Sequence, residues 1–283
     1  MDGIINVYKE PGFTSHDVVA KLRGILHMKK IGHTGTLDPD AQGVLPVCLG
    51  KATKLCGMIT DWGKNYEAVM LLGKTTDTQD ISGSVLSVSE VNADERKIID
   101  VIISFVGGYE QVPPMYSALK HNGRKLYELA RQGIEVERKS RHVDIGFIKI
   151  NEMNLNDDEK TVTFTVACSK GTYIRTLCEE IAERLETVGY MKELNRTRVG
   201  DFRIENSITI EQLEQSQYQI ITIEQFFKDE EFINLTEKGL KLFLNGVQLT
   251  YHLVDGIYRI YQDDKFIGIG TIKNELLKRD III

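Results

Sequence analysis

The sequence predicts a chain that combines α-helices with β-strands, and its hydrophobic periodicity is the main reason. Residues 161–168, TVTFTVAC, alternate polar and apolar side chains, which is typical of a half-buried strand. Residues 64–73, KNYEAVMLLG, alternate in a similar way. Residues 18–26 instead repeat apolar side chains at helical spacing, with Val18, Leu22 and Ile25 on one face. An α+β fold accommodates both kinds of segment.

The remaining elements follow from shorter signals. Thr14 and Asp17 approach a capping box at the start of the first helix. Two residues, Asp263 and Asp264, separate the last two strand-like segments, which predicts a hairpin. Further strands are predicted over 3–8, 83–89, 141–150, 195–203, 257–262 and 265–272, and further helices over 94–105, 236–244 and from Thr176 through Glu186.

Length and composition limit the class of protein. The chain has 283 residues, of which 42% are hydrophobic, enough for one large domain and a small one. It has no apolar run of about 20 residues that would span a membrane, and its first residues lack the pattern of a signal peptide. Its four cysteines form no CxxC pair that would indicate a zinc site or a disulfide framework. We expect a reduced protein of the cytoplasm.

One stretch, residues 32–46 (GHTGTLDPDAQGVLP), is unusually dense in glycine and proline. It also contains an imidazole, His33, and two carboxylates, Asp38 and Asp40. Pro39 biases Asp38 toward an extended backbone, and the apolar run 44–49 can anchor the loop in a core. The pattern indicates a pre-positioned catalytic carboxylate, with a surface turn of solvated aspartates as the alternative.

Charge is unevenly distributed along the chain. The net charge is −6, which argues mildly against a nucleic-acid partner. Residues 115–142, however, contain seven lysines and arginines against three glutamates. A local basic surface of this kind suits a phosphate backbone, whereas a solvated amphipathic surface is the alternative.

Residues 32–54, GHTGTLDPDAQGVLPVCLGKATK, resemble the signature GHxGTLDPxAxGVLPxxxGxATK of the TruB family of tRNA pseudouridine synthases. Residues 112–131, 169–176 and 195–203 resemble further family motifs, PPxYSAxKxxGxxxYExAR, SxGTYIRxL and RTxxGxF. The amino-terminal motif KPxGxTS is matched at Lys9, Gly12, Thr14 and Ser15, but its proline is displaced by one place to Pro11.

The resemblance implies a fold and an activity. The fold is a mixed, mainly antiparallel central sheet with flanking helices over residues 1–228, followed by a small PUA-like RNA-binding β-domain over 229–283. The activity is isomerisation of uridine to pseudouridine at position 55 in the T-loop of tRNA, on a flipped-out nucleotide. The reaction imports no group and oxidises nothing, so we expect no cofactor and no metal. We also expect a monomer of the stand-alone bacterial type, whose partner is the T-arm stem-loop.

The resemblance also implies catalytic residues. Asp38 aligns with the catalytic aspartate, acting as a nucleophile or as a stabiliser of an oxocarbenium-like centre. Tyr66 is expected to stack on the flipped base, with ordinary packing in a strand as the alternative. Arg175 is expected to pair with Asp38, and its alternative is a surface ion pair with Glu179 at i,i+4 spacing.

Other residues are expected to bind the substrate. His33 would contact the flipped nucleotide, and Tyr173 lies in the same motif as Arg175. Lys9 would bind phosphate or support the Asp38 loop, with a solvated lysine as the alternative. His16 is expected to be an ordinary first-turn residue. The basic residues expected to hold the RNA stem-loop are Lys120, Arg124, Lys125 and Arg131.

Three other classes of protein compete with this interpretation. A glycosidase would use Asp38 and Asp40 as its two carboxylates. A metal-dependent hydrolase would use His33, Asp38 and Asp40 as ligands. A non-catalytic RNA-binding module would tolerate loss of Asp38. The guide-RNA-dependent branch of the same family is disfavoured, because the 112–131 motif and the short carboxyl-terminal region resemble the stand-alone type.

Overall fold

The computed structural model describes residues 1–283. Its strands are β1 Gly3–Lys9, β2 Ile31–His33, β3 Gln42–Leu49, β4 Lys64–Leu72, β5 Lys74–Thr76, β6 Val85–Val88, β7 Tyr109–Gln111, β8 Lys120–His121, β9 Arg124–Lys125, β10 Arg141–Val143, β11 Ile145–Asn154, β12 Thr161–Cys168, β13 Gly189–Val199, β14 Phe202–Arg203, β15 Ile221–Thr222, β16 Phe232–Asn234, β17 Leu249–Thr250, β18 Gly256–Gln262, β19 Lys265–Lys273 and β20 Leu276–Ile282. Its α-helices are α1 Ser15–Ile25, α2 Cys56–Thr60, α3 Glu95–Ile103, α4 Leu126–Ala130, α5 Ile174–Arg184, α6 Ile210–Glu214, α7 Ile223–Phe226 and α8 Glu237–Leu244. None of the helices is long and apolar enough to cross a bilayer.

A nine-stranded sheet forms the centre of the molecule. Its strands run in the order β11-β12-β4-β13-β3-β1-β15, with β14 added on β13 and β2 on β3. Every pair is antiparallel except β13 with β3, where Arg196 lies opposite Gly43. The prediction of a mixed, mainly antiparallel sheet is therefore confirmed.

Helices pack on this sheet through the apolar faces that their sequences predict. Thr14 caps α1, and its side chain and that of Asp17 form the predicted capping box. Val18 and Leu22 of α1 share an apolar cluster with Leu45 of β3. The larger cluster lies between the sheet and the helices α3 and α5. These contacts hold β3, which follows the loop of Asp38, and α5, which carries Arg175.

A separate segment, residues 112–140, extends between β7 and β10, and we call it the basic insertion. β7 and β10 pair with each other and close its base. Within it, β8 and β9 form a short hairpin whose turn, Asn122-Gly123, has positive φ at both residues (50° and 83°), which suits this dipeptide. Leu126 and Leu129 of α4 are buried, so this helix has one face packed away from solvent.

The carboxyl-terminal residues form a second, five-stranded sheet in the order β16-β18-β19-β20-β17. It has its own apolar cluster around Phe243 and Ile260. The predicted hairpin of β18 and β19 is present, whereas the sequence analysis predicted no strand at β20. Ile269 and Ile281 face the other way and pack with residues of the large sheet such as Ile4. The division near residue 228 stays a prediction.

Candidate active site

The loop that carries Asp38 lies between β2 and β3, and the main chain fixes its ends. The Thr34 amide donates to the Pro46 carbonyl oxygen at 3.1 Å. Gly43 has φ of 111°, and a Cβ there would lie 2.2 Å from the Arg196 carbonyl oxygen. Only glycine fits this close approach of β3 to β13, which explains one of the glycines in the stretch.

Lys9 supports the loop from below. Its side chain is fully buried, and its Nζ donates to the carbonyl oxygens of Glu10, Pro39 and Ala41 at 3.1, 2.9 and 2.5 Å. Burial lowers the pKa of Lys9 to about 8, although the nearby Asp38 charge opposes this change. The ammonium group is not exposed to a phosphate. The geometry therefore corrects the expected substrate-binding role and favours the alternative, support of the loop.

Arg196 holds the other side of the same loop. It is 1% exposed, and its guanidinium donates to the carbonyl oxygens of Val44 at 2.7 Å and Gly35 at 3.1 Å. Its burial and these hydrogen bonds give Arg196 a structural role in holding the loop, at the wall of the cleft. Lys9 and Arg196, two buried cations, thus hold the backbone on either side of Asp38 through hydrogen bonds.

Asp38 and Arg175 come together at the base of a cleft. Arg175 Nε lies 3.0 Å from Asp38 Oδ2, and Nη2 lies 3.4 Å from Oδ1. The Arg175 side chain is 5% exposed and also donates to the carbonyl oxygens of Thr78 at 3.1 Å and Tyr116 at 2.9 Å. The alternative pairing is not formed, because Glu179 instead accepts a hydrogen bond from Gln79.

A third charged residue, Asp80, completes this cluster and was missed by the sequence analysis. Its Oδ2 lies 3.7 Å from Arg175 Nη1. Its Oδ1 accepts hydrogen bonds from the Thr78 hydroxyl at 2.6 Å and from the Ser82 amide at 3.0 Å. Asp80 follows β5 in a polar segment, and no pattern in the sequence predicts its contact with Arg175. Arg175 is thus held between two carboxylates.

The ionisation of Asp38 reflects opposing influences. Burial raises the pKa of Asp38, and the charge of Asp80 adds to this rise. The Arg175 guanidinium and, more weakly, the Lys9 ammonium oppose it. An ionised carboxylate in this position therefore depends on Arg175.

The cleft above Asp38 has a volume of about 1030 Å³. Tyr66 is buried in its wall, and burial raises the pKa of the Tyr66 phenol. Asp40 also lines the cleft, but it is exposed at the rim. Six cationic side chains line the cleft against three carboxylates. The cations are Lys64, Arg131, Arg141, Lys170, Arg175 and Arg196, and the carboxylates are Asp38, Asp40 and Asp80.

Two histidines meet beside the loop. The rings of His16 and His33 pack edge to face, with centroids 5.2 Å apart. Nδ1 of His33 is buried without a hydrogen-bond partner, and burial lowers the pKa of this imidazole. His16 lies in the first turn of α1, as expected, and it also lines the cleft. Residues 1–283 contain no cluster of three or more His, Cys, Asp or Glu side chains suited to a metal ion.

The expected RNA-binding residues lie on the basic insertion and beside it. Arg131 and Tyr127 line the cleft, and the Arg131 guanidinium lies 5.4 Å from the Tyr127 ring centroid. Lys125 packs on the same ring, while Lys120 and Arg124 are exposed on the β8–β9 hairpin. Tyr173 lines the opposite wall, under the Arg141 guanidinium at 5.3 Å.

Comparison with known families agrees with this arrangement. A model described as "TruB family pseudouridylate synthase (N terminal domain)" matches residues 23–174. A model described as "tRNA pseudouridylate synthase B C-terminal domain" matches residues 175–233. The chain belongs to the TruB family.

Individual TruB relatives align over nearly the whole chain. A protein of Alkaliphilus oremlandii named tRNA pseudouridine synthase B is 44% identical, and the alignment covers 97% of this chain and 94% of the relative. A protein of the same name from Clostridium perfringens is 47% identical and covers 95% of both chains. Among solved structures, a chain of a Cbf5-Nop10-Gar1 complex superposes with a TM-score of 0.70 and 27% identity, covering 99% of this chain and 85% of the other. The fold is that of the pseudouridine synthases.

Proposed function

We propose that this protein isomerises uridine to pseudouridine at position 55 in the T-loop of tRNA, with Asp38 as its catalytic residue. The observation that carries the proposal is the Asp38 carboxylate held 3.0 Å from the buried Arg175 guanidinium at the base of an RNA-sized cleft. Membership of the TruB family, whose relatives are named tRNA pseudouridine synthase B, supports the reaction and the substrate.

The chemistry matches what this site offers. The N1–C1′ bond breaks, the uracil turns, and a C5–C1′ bond forms, so no group enters or leaves. Attack at C1′, attack at C6 and elimination to a glycal all use one ionised carboxylate. Burial raises the pKa of Asp38, and the Arg175 guanidinium favours the ionised form by opposing that rise. Tyr66, in the cleft wall, stacks on the flipped base.

RNA binding is assigned to surfaces outside the reacting centre. The target uridine is extruded into the cleft, where Tyr173 contacts it. His33, beside the loop, contacts the flipped nucleotide or occupies the space that it leaves. Exposed cations of the basic insertion bind the phosphates of the T-arm stem-loop. Residues 229–283 act as a PUA-like RNA-binding domain, and the protein works as a cytoplasmic monomer without metal or cofactor.

The test compares Asp38→Asn with Asp40→Asn. Asparagine nearly preserves the shape of either side chain, so the loop should still fold. Asp38→Asn should lower the single-turnover rate by more than the roughly 10²–10⁴-fold typical of losing a general acid or base. It should still bind tRNA, because binding rests on phosphate contacts. Asp40→Asn is the matched control and should keep most activity. The measurements are pseudouridine mapping on unmodified tRNA and on a T-arm stem-loop, with filter binding.

Each rival interpretation has its own outcome in the same assay. Wild-type activity in Asp38→Asn would remove the catalytic assignment of that residue. Wild-type protein that binds tRNA but forms no pseudouridine would indicate a binding module. Equal damage from both substitutions, together with release of free uracil, would indicate a two-carboxylate glycosidase. Loss of activity on exhaustive chelation would indicate a metal-dependent enzyme.

A further inference from the structure

Gln111, the last residue of β7, is a fully buried polar side chain with no assigned role. Its Oε1 accepts a hydrogen bond from the Tyr173 amide at 2.8 Å. Its Nε2 donates to the Tyr173 carbonyl oxygen at 3.0 Å and also to the Tyr109 hydroxyl. The amide therefore binds both main-chain groups of one residue, 62 positions away in the sequence.

The two ends of this contact belong to different parts of the site. Gln111 immediately precedes the basic insertion, at the base that β7 and β10 close. Tyr173 is the N-cap residue of α5, and Arg175 follows two residues later. The Gln111 amide thus joins the base of the insertion to the first turn of the helix that carries Arg175.

A second contact joins the same two parts. The Arg175 guanidinium donates through Nη2 to the carbonyl oxygen of Tyr116, which belongs to the insertion. The same Nη2 faces Asp38 Oδ1 at 3.4 Å, and Nε lies 3.0 Å from Oδ2. The position of the insertion relative to α5 therefore bears directly on the Asp38–Arg175 pair.

We propose that Gln111 is a positioning residue that couples the basic insertion to the Asp38–Arg175 pair. This inference rests on the proposed function. When RNA binds to the insertion, the Gln111 contact keeps Tyr173 and the first turn of α5 in a fixed position relative to the insertion. Arg175 therefore faces Asp38 as the nucleotide enters the cleft.

The energetics favour a specific role over simple packing. Removing the amide would leave the part-buried N–H of Tyr173 without its partner, which is unfavourable, whereas the Tyr173 carbonyl oxygen would keep the hydrogen bond from the Leu177 amide at 3.1 Å. The first turn of α5 would relax to give the Tyr173 N–H a new acceptor. A displacement of about 1 Å at a reacting centre is enough to lower a rate by roughly 10²-fold.

The first test compares Gln111→Ala with Gln212→Ala. Gln212 is a matched control, because its side chain also accepts a hydrogen bond from a backbone amide, that of Thr209 at 2.9 Å, but in the capping box of α6. For Gln111→Ala we expect a single-turnover rate at saturating tRNA that is about 10- to 100-fold lower, with the Kd for tRNA changed by less than about three-fold. We also expect the acid limb of its pH–rate profile to move to higher pH. Gln212→Ala should lose stability alone.

The second test, Gln111→Glu, guards against misfolding of the alanine variant. A protonated carboxyl group offers one acceptor and one donor, the same pair that the amide presents to Tyr173. Burial raises the pKa of a carboxyl group in such a site, so the protonated form is favoured as the pH falls. The rate of Gln111→Glu relative to wild type should therefore rise toward low pH.

The outcomes separate this inference from the proposed function. A wild-type rate and pH profile in Gln111→Ala, with only a lower melting temperature, would overturn the positioning role. A rate ratio for Gln111→Glu that does not depend on pH would also count against it. Wild-type protein that forms no pseudouridine in tRNA would instead overturn the proposed function, whatever the variants do.

Discussion

At the scale of single residues, the charge of Asp38 depends on its neighbours. Burial and the Asp80 carboxylate both raise the pKa of Asp38, whereas Arg175 and Lys9 lower it. Arg175 is itself held by the Thr78 and Tyr116 carbonyl oxygens, so it cannot follow Asp38 if the loop shifts. The charge state of the Asp38 carboxylate is thus a property of the whole cluster.

Replacing Arg175 by Ala should shift the pH dependence of the reaction. Without Arg175, only the weaker effect of Lys9 opposes burial and the Asp80 charge, so the pKa of Asp38 rises. The acid limb of kcat/KM should move to higher pH by about one to three units, the usual effect of one adjacent opposite charge. Arg184→Ala, on the exposed end of the same helix, is the control. An acid limb that stays in place would show that the Asp38 charge does not depend on Arg175.

Lys9→Met should change how stability depends on pH. The pKa of Lys9 is about 8 in the fold, below the value of about 10.4 expected for an unfolded lysine. Between these values the unfolded chain binds more protons than the folded one, so Lys9 makes the protein more stable as pH rises. The difference in free energy of unfolding between wild type and Lys9→Met should therefore grow from pH 8 to pH 10.

Urea denaturation at pH 7, 8, 9 and 10 measures this difference. Lys21→Met, which removes an exposed lysine of α1, is the control and should show no such trend. A constant difference across the range would mean that Lys9 titrates as an ordinary surface lysine.

At the scale of elements, the basic insertion combines a fixed base with an exposed tip. β7 and β10 and the Gln111 contact fix the base. Arg131 packs on Tyr127 at the cleft, while the β8–β9 hairpin is exposed. The arrangement lets the tip present cations to RNA without moving the residues that adjoin Arg175.

Removing the exposed cations of the insertion should weaken RNA binding in a salt-dependent way. The variant replaces Lys120, Arg124, Lys125 and Arg131 by Ala. Fewer counterions are released when it binds, so its plot of log K against log salt concentration should be less steep, by up to about one unit for each lost phosphate contact. Filter binding from low to moderate salt measures this slope.

The control removes four cations that lie away from the cleft. These are Arg96, Lys97, Lys149 and Arg184. Their replacement should leave the slope nearly unchanged. An equal change in both variants would show that only net charge matters, and no change in either would remove the insertion from the RNA-binding surface.

Sequence patterns predicted the local elements better than the contacts between them. The alternation over 161–168 gave the bounds of β12, and Thr14 with Asp17 gave the cap of α1, because both signals lie within a few residues. The contact of Asp80 with Arg175 joins residues that are 95 positions apart in the sequence, and no local pattern predicts it. β20 was missed because its sequence, LLKRDII, has charges in the middle that interrupt the apolar pattern.

Site residues show the same distinction. The family motif identified Asp38 and Arg175, and the structure brings them together. The role of Lys9 was harder to predict, because a lysine in a motif can bind either phosphate or carbonyl oxygens. Only the burial of the Lys9 side chain distinguishes these two roles. No sequence pattern marked Gln111, because its proposed role depends on its contact with Tyr173.

At the scale of the whole molecule, the two sheets share an apolar layer. Ile269 and Ile281 of the second sheet are 2% and 3% exposed, and they pack with residues of the first such as Ile4 and Leu55. Trp62, the single tryptophan of the chain, stacks on Phe226 beside this layer, with ring centroids 5.5 Å apart. Unfolding of one sheet would expose apolar surface of the other.

Ile281→Ala should therefore destabilise both sheets together. The cavity and the lost burial should lower the free energy of unfolding by about 2–5 kcal/mol. Ile283→Ala, at an exposed position two residues later, is the control. Trp62 fluorescence and circular dichroism should report one shared transition. Two separate transitions would show that the carboxyl-terminal sheet unfolds independently.

The charge of the cleft has a consequence for how an RNA arrives. The cleft lining carries a net charge of +3 within a chain of net charge −6, so the remaining surface and interior together carry −9. A polyanion is repelled by most faces of such a molecule and attracted by one. Encounters in other orientations are therefore short-lived, whichever RNA arrives. This orientation acts before any base is read, and it fades as ionic strength rises.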